Sequence, residues 1–527
     1  MRRLAPALAV ALLASCTTPP HGAADAPFDL LIRGGTVYPG GAAPFRGDIA
    51  IRGDRIVAIG PGVAGSAART IDARGMIVSP GFIDPHTHMT GWLTDPDPKR
   101  RLVEPFLAQG VTTAVVGNDG GGPVEIAALL DGAGERPVGI NFAAFTGFGT
   151  IRAAVIGDAR RAPTADELSR ETAVVRRAMC EGALGISTGL FYAPQSFSEK
   201  PEVVALARTA GEMGGIYDTH LRDESDYTVG LGVAVDETIA IAREAGIPVH
   251  ISHIKALGVN VHGMAPAIID KVEAARAAGL AVTASQYPWE ASGTSMVASL
   301  VPLWALDGGR QAMLARLEDP AQQERVRVGM AENLGRRGGA GTLLIAEGRW
   351  KGSRLSHVAA AMHTDPISAA IAVIRTGDVG VVSFNMAEAD IAAFMRQPWV
   401  VTGSDASGGH PRVFGSFARK YAVYVRERQV LSLRDFIDRS TAVTADILGI
   451  ADRGRLKVGH FADVAVFDPA TFAARATYEE PERTAVGMRV VIVNGRVALE
   501  GGALTGTAAG RALRHRPPPG RCPDQSR

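Results

Sequence analysis

Two histidines one residue apart, His86 and His88, follow a short apolar run opened by Pro80 and Gly81. Such a run reads as a buried strand, and side chains two apart on a strand leave it on the same side. Two neutral imidazoles then converge on one point. That suits a borderline-soft divalent metal such as zinc. In isolation a His-x-His pair is more often two polar residues in a loop, so the remaining metal-competent side chains decide. Asn118 and Asp119 follow the apolar residues 113–117, His220 follows 216–219, His253 follows 249–252, and Asp405 follows 399–404. Each stands at the end of a strand-like run, which chance placement of 12 histidines would rarely achieve.

The elements that must position these residues share one pattern. A helix-like segment ends in glycine and a β-rich run follows at once, at Gly110, Gly182, Gly214, Gly246 and Gly279. One helix start is written as well, because Thr164 and Glu167 form a capping-box pattern before an apolar-periodic run. Strand ends near Ser187, His220, His253 and Gln286 lie 33 residues apart, a period that suits one βα unit. Repeated over residues 79–449, this predicts an α/β fold, a (β/α)8 TIM-like barrel, with chemistry at the C-terminal ends of its strands. His86, His88, Asp119, His220, His253 and Asp405 would then share one rim.

The two ends of the chain have another texture. Residues 28–78 and 450–505 read as short strands and hairpins, with turn signals at Gly53-Asp54 and Asn494-Gly495. They are expected to form one small β-sandwich domain bracketing the barrel. Residues 290–349, charged and poorly periodic, read as an insertion over the rim, either a lid or a plain surface excursion. His250, three residues from His253, is expected on the opposite face of its strand. His262, His357, His363, His460 and His515 lie on no predicted strand end, and His410 is ambiguous because its loop carries Arg412.

With 527 residues, 46% of them hydrophobic and 21% charged, the chain can bury a large core. A formal net charge of +1 gives no electrostatic case for nucleic acid. Residues 1–16 read as a signal peptide: Arg2 and Arg3 precede an apolar run too short to span a bilayer, and Leu13-Ala14-Ser15-Cys16 has the form of a bacterial lipobox. Cys16 is expected to carry the lipid, residues 17–27 to act as a tether, and the protein to sit on a membrane facing the periplasm. The alternative is a soluble, secreted periplasmic protein. Only Cys180 and Cys522 remain, which implies no disulfide framework: Cys180 is expected to be a small buried hydrophobe, and the proline-rich tail 506–527 to be disordered.

His-x-His after the first strand, single histidines after the fifth and sixth, and aspartate after the last resemble the pattern of the amidohydrolase superfamily. Within it the chain is similar to the N-acyl-D-amino-acid deacylases from about residue 28 to 500. The motifs carrying this are residues 185–192, Thr219-His220-Leu221-Arg222, residues 251–255, Tyr287-Pro288-Trp289, Gly403-Ser404-Asp405 and His410-Pro411-Arg412. The resemblance implies a barrel holding one or two Zn2+ ions, or another divalent metal, and acting on the amide of a small N-acyl-D-amino acid. There are two departures. Gly117-Asn118-Asp119-Gly120 puts a carboxylate where the family has a ligating cysteine, so Asp119 either ligates, bridging two ions, or orients a ligating histidine. Gly293 stands where a serine is usual, which leaves the side-chain preference open.

Amide hydrolysis requires a nucleophile at neutral pH, and Asp405 is the expected proton acceptor and later donor, with its own contact to metal. In isolation Asp405 would read as a helix cap; the constellation argues otherwise. A substrate carboxylate calls for Arg412 and Lys255, with hydroxyl donors from Tyr192 and Tyr287. Arg222 is expected to pair with Asp223 or Glu224. Two competing readings are a cyclic-amide hydrolase, for which no lysine follows the fourth strand, and a non-catalytic periplasmic lipoprotein that captures amino-acid derivatives.

Overall fold

A computed structural model describes residues 27–523. The signal peptide, Cys16 and nearly all of the expected tether lie outside the described residues.

Strands from the two ends meet in one nine-stranded sheet. The seam is antiparallel, with Val464 opposite Pro80 and Phe467 opposite Ile77. The strands at the seam are buried on both faces, and alternate residues point to the same side. Ile32, Ile49, Val78, Val464, Val466 and Ile492 from both ends share a cluster. The Asn494-Gly495 hairpin needs positive φ at both residues and has it, 48° and 75°. At Gly495 a side chain is also excluded by space, because a Cβ would lie 1.9 Å from the Gly53 carbonyl oxygen.

The middle of the chain alternates strands and helices. Phe82–Asp84, Val111–Val116 and Asn141–Ala144 pair in parallel. A second parallel run contains Thr146–Gly147, Gly185–Gly189, Ile216–His220, Val249–Ile251, Val282–Gln286 and Val400–Thr402. Only Phe145 separates the two runs along the chain, and a parallel bridge between Thr87 and Ala406 joins their other ends. The helices between, such as Ala165–Glu181 and Leu231–Ala245, stop at Gly182 and Gly246 in left-handed conformation. Thr164 and Glu167 make the expected reciprocal cap, with Glu167 N donating to Thr164 Oγ1 at 3.2 Å and Thr164 N to Glu167 Oε2 at 2.7 Å.

The insertion is larger than expected. It runs beyond residue 349 to Phe384, because the central strand of its three-stranded antiparallel sheet, Gly380–Phe384, comes last and pairs with both Ala291–Ser295 and Leu343–Ile345. Its helices pack Met296, Leu300, Met313, Val326, Met330 and Ile374 into an apolar cluster of their own.

The described part of the tail is ordered, contrary to the reading of its composition. Phe142 N donates to Arg511 O at 3.0 Å and Leu513 N to Phe142 O at 2.7 Å, so the tail lies along the strand Asn141–Ala144. Cys522 is disulfide-bonded to Cys180 on the helix Ala165–Glu181. Backbone pairing and a covalent link therefore hold a segment whose own apolar content is small. Cys180 is half-buried and bonded rather than a free core thiol.

Candidate active site

The six expected metal-competent side chains do converge, at the C-terminal ends of the parallel strands. They form two groups that share Asp119. In one, His86, His88, Asp119 and Asp405 each offer an atom within 4.8 Å of the others; in the second, Asp119, His220 and His253 do the same. His86 Nε2 and His88 Nε2 lie 3.4 Å apart, and His88 Nε2 is 3.2 Å from Asp405 Oδ1. Asp119 Oδ1 is 3.5 Å from His86 Nε2, while its Oδ2 is 3.4 Å from His88 Nε2 and 3.5 Å from His253 Nε2. Three of these residues, Asp119, His253 and Asp405, have positive φ (55°, 33° and 52°). Non-glycine residues adopt that conformation at a cost that the surrounding fold must offset, and such strain clusters at functional sites.

The electrostatics describe a place for a cation. Burial pulls the His88 imidazole down, yet the carboxylates of Asp119 and Asp405 push it up to about 10. Burial and Lys255 also act against charge on His253, and Asp405, Asp119 and Glu224 still raise it to about 9. Burial instead dominates at His220, lowering it to about 4. The carboxylates thus draw protons onto imidazoles that a divalent ion would otherwise contact. Asp119 Oδ1 is buried with no hydrogen-bond partner among the described residues, a donor atom left for such an ion. The set of imidazole nitrogen and carboxylate oxygen fits zinc or a similar divalent metal.

A cavity of about 380 Å³ opens over this centre, and Tyr192, Lys255, Tyr287 and Arg412 all line it. The cations there are engaged. Lys255 Nζ contacts Glu224 Oε1 at 2.6 Å and His253 Nδ1 at 2.7 Å, so it is not the free point charge expected. Arg412 Nη1 reaches Asp405 Oδ2 at 2.6 Å, and its Nη2 donates to Ser407 Oγ at 2.5 Å. The Tyr192 ring lies 4.9 Å from that of His220, tilted by 46°. Tyr287 is buried between Lys255 and Arg412, at 5.7 and 5.1 Å from its ring. At Gly293 a Cβ would meet Arg412 Nη2 at 3.2 Å, so the missing side chain leaves room beside the guanidinium.

Glu224 was missed as a site residue. It lies 3.1 Å from His253 Nδ1 and 3.7 Å from His220 Nε2. Arg222, expected to take Asp223 or Glu224, instead grips Glu237, with Nε at 2.8 Å from Oε2 and Nη2 at 3.0 Å from Oε1. The available signal was the four-residue interval from His220 to Glu224, which carries no weight outside a helix. His250 lies off the centre as expected, bonding Thr283 Oγ1 through Nδ1 at 2.9 Å. His410 lines the cavity, but its Nε2 is taken by the Ala291 carbonyl at 3.0 Å.

The model for the amidohydrolase family matches residues 69–499. The chain belongs to that family. Within it, this amidohydrolase is 34% identical to a D-aminoacylase of Alcaligenes xylosoxydans xylosoxydans, over 92% of this chain and 98% of that protein. Among solved structures, a D-aminoacylase studied for its binuclear metal centre superposes with a TM-score of 0.79 at 33% identity, covering 93% of this chain and all of that one. An N-acyl-D-glutamate deacylase from Bordetella bronchiseptica, complexed with zinc and a phosphonate mimic of the tetrahedral intermediate, gives 0.79 at 30% identity with the same coverage.

Proposed function

We propose that this amidohydrolase is a zinc-dependent deacylase that hydrolyses the linear amide of N-acyl-D-amino acids to a free D-amino acid and a carboxylate. The observation that carries the reading is the pair of ligand groups joined through Asp119 beneath a cavity that Arg412 also lines. Full-length similarity to deacylases of this substrate class supports it.

His86, His88, Asp119 and Asp405 would hold one ion, and Asp119, His220 and His253 a second. When bound, such an ion supplies a water of lowered pKa and polarises the scissile carbonyl. Asp119 ligates in this reading rather than orienting a histidine, because it faces the same ring nitrogens that point to the common centre. Asp405 Oδ1 faces His88 and would accept the proton of the attacking water, then return it to the leaving nitrogen. Arg412 holds the other oxygen of that carboxylate, keeping Asp405 ionised and aimed. With Tyr287 it also presents donors for the substrate carboxylate, while Lys255, paired with Glu224, and Tyr192, beside His220, line the rest of the cavity. Glu224 neutralises Lys255 and fixes the His253 ring.

We further infer that the two parallel runs close through the Thr87–Ala406 bridge into one eight-stranded barrel, in which Asn141–Ala144 and Thr146–Gly147 are a single strand interrupted at Phe145, and that the terminal sheet folds over its shared apolar cluster as a sandwich. Export by the signal peptide, with lipidation at Cys16 and a periplasmic location, is proposed on the lipobox. The Cys180–Cys522 disulfide supports export, since such bonds persist in oxidising compartments.

The test is amino-acid release from paired N-acetyl-D- and N-acetyl-L-amino acids by zinc-loaded protein. Turnover confined to the D series is expected. Equal turnover of both, or of cyclic amides only, would refute the substrate assignment.

A further inference from the structure

A second and larger cavity, about 970 Å³, adjoins the first and shares Phe191, Tyr192, Tyr227 and Ser295 with it. It lies between the strand-end loops carrying Phe191 and Val229 and the inserted subdomain, which contributes Val297, Leu303 and Trp304 among others. Val229 and Val328, two of the few large apolar side chains that stand exposed among the described residues (42% and 50%), both face it. Apolar exposure beside a catalytic cavity marks a place for an apolar ligand.

Several of the charged groups around this cavity already have partners. Arg222 is held by Glu237, Arg310 Nη2 donates to the Ile374 carbonyl at 2.8 Å, Arg336 faces Asp226 at 3.6 Å, and Arg325 lies over the Trp304 ring at 4.1 Å. Asp378 accepts from Val297 N at 3.0 Å. Beside them Leu190, Val229, Val301, Leu306 and Val328 give the cavity an apolar wall. The shared residues enter from the His220 side of the metal centre, whereas Arg412, beside Asp405 and Ser407, stands on the Asp405 side. A substrate whose carboxylate meets Arg412 then has the second cavity on the side of the metal centre away from that carboxylate.

We propose that this cavity receives the acyl part of the substrate, and that the preferred substrates carry a long apolar acyl chain rather than acetyl. The assignment rests on the deacylase reading of the site, and its specific content is chain length. Each methylene buried from water is worth roughly fourfold in kcat/KM, until the cavity is filled.

The experiment measures kcat/KM of the zinc-loaded enzyme on N-acetyl-, N-hexanoyl- and N-decanoyl-D-leucine. A parallel series holds acetyl constant and lengthens the amino-acid side chain. Binding of decanoate and acetate is measured by calorimetry, independently of turnover. A rise of at least a hundredfold from acetyl to decanoyl is expected, with decanoate bound more tightly than acetate. Val328→Glu, at an exposed helix position, lowers both ratios at least tenfold, whereas Val458→Glu, exposed elsewhere, leaves them unchanged. A flat acyl series, or a Val328→Glu effect confined to the side-chain series, overturns the acyl assignment while leaving deacylation intact. Preference for dipeptides over decanoyl substrates overturns it as well. If nothing is hydrolysed, the deacylase reading fails, and equal binding of decanoate and acetate then overturns the apolar site too.

Discussion

Arg412 and Asp405 are joined across the active site: Arg412 Nη1 lies 2.6 Å from Asp405 Oδ2, while the other oxygen of that carboxylate faces His88. Both residues are buried, and the pair lies at the end of the last parallel strand. Burial alone would raise Asp405, but Arg412 first, then His253, holds its carboxyl well below the usual range. Removing the cation would leave a buried carboxylate unpaired. The cost in such cases is about 3–5 kcal/mol.

Arg412→Lys keeps the charge and loses the planar fork that spans Asp405 and Ser407. A fall in kcat/KM of about 10- to 100-fold is expected. The loss should be smaller for an N-acylamine that lacks the carboxylate, and steady-state kinetics on the two substrates reads the difference.

Glu224→Gln removes the acid between Lys255 and His253. Partners that orient a ligating histidine typically contribute 10- to 100-fold in metal affinity. Competition with a chelating dye should show that loss for the variant, with its circular dichroism retained.

Lys420 is a test of pH dependence away from the metal centre. Its side chain is fully buried and Nζ has no hydrogen-bond partner among the described residues. Burial, with repulsion from Arg439, lowers it to about 7 from an ordinary 10.5. Between those two values the unfolded chain binds a proton that the folded chain has released, so this group makes stability rise with pH from about 7 upward. Below 7 the folded protein must bury the charge. Lys420→Met should flatten this dependence and raise the melting temperature most at pH 6, as measured by calorimetry from pH 6 to 9.

The tail clamp predicts sensitivity to reductant. Cys180→Ser, or reduction of the Cys180–Cys522 bond, should lower stability by about 2–4 kcal/mol. Proteolysis of residues beyond 505 should then precede global unfolding, and mass spectrometry of timed digests would show it.

Much of the site was legible because each ligand ends a strand run. Strand ends are marked by local signals: glycine after the preceding helix, then β-branched residues, then the histidine or aspartate. The cap at Thr164 and the turn at Asn494 are equally local. What escaped depends on distant partners. Glu224 belongs to the site only because a loop returns it to His253. The insertion could not be bounded at residue 349, since the strand completing its sheet follows at Gly380. Composition misled at the tail, where a disulfide and backbone hydrogen bonds do what apolar burial could not. The engagement of Lys255 and Arg412 with carboxylates is likewise invisible to spacing.

The most direct test compares Asp405→Asn with the parent protein, both zinc-loaded and with metal content measured by mass spectrometry, on N-acyl-D-leucine. The account predicts that the variant keeps metal at the Asp119–His220–His253 group and its fold, while kcat falls by at least a thousandfold. A variant that keeps its metal and hydrolyses the D substrate near the parent rate would contradict the role of Asp405 and with it the proposed mechanism.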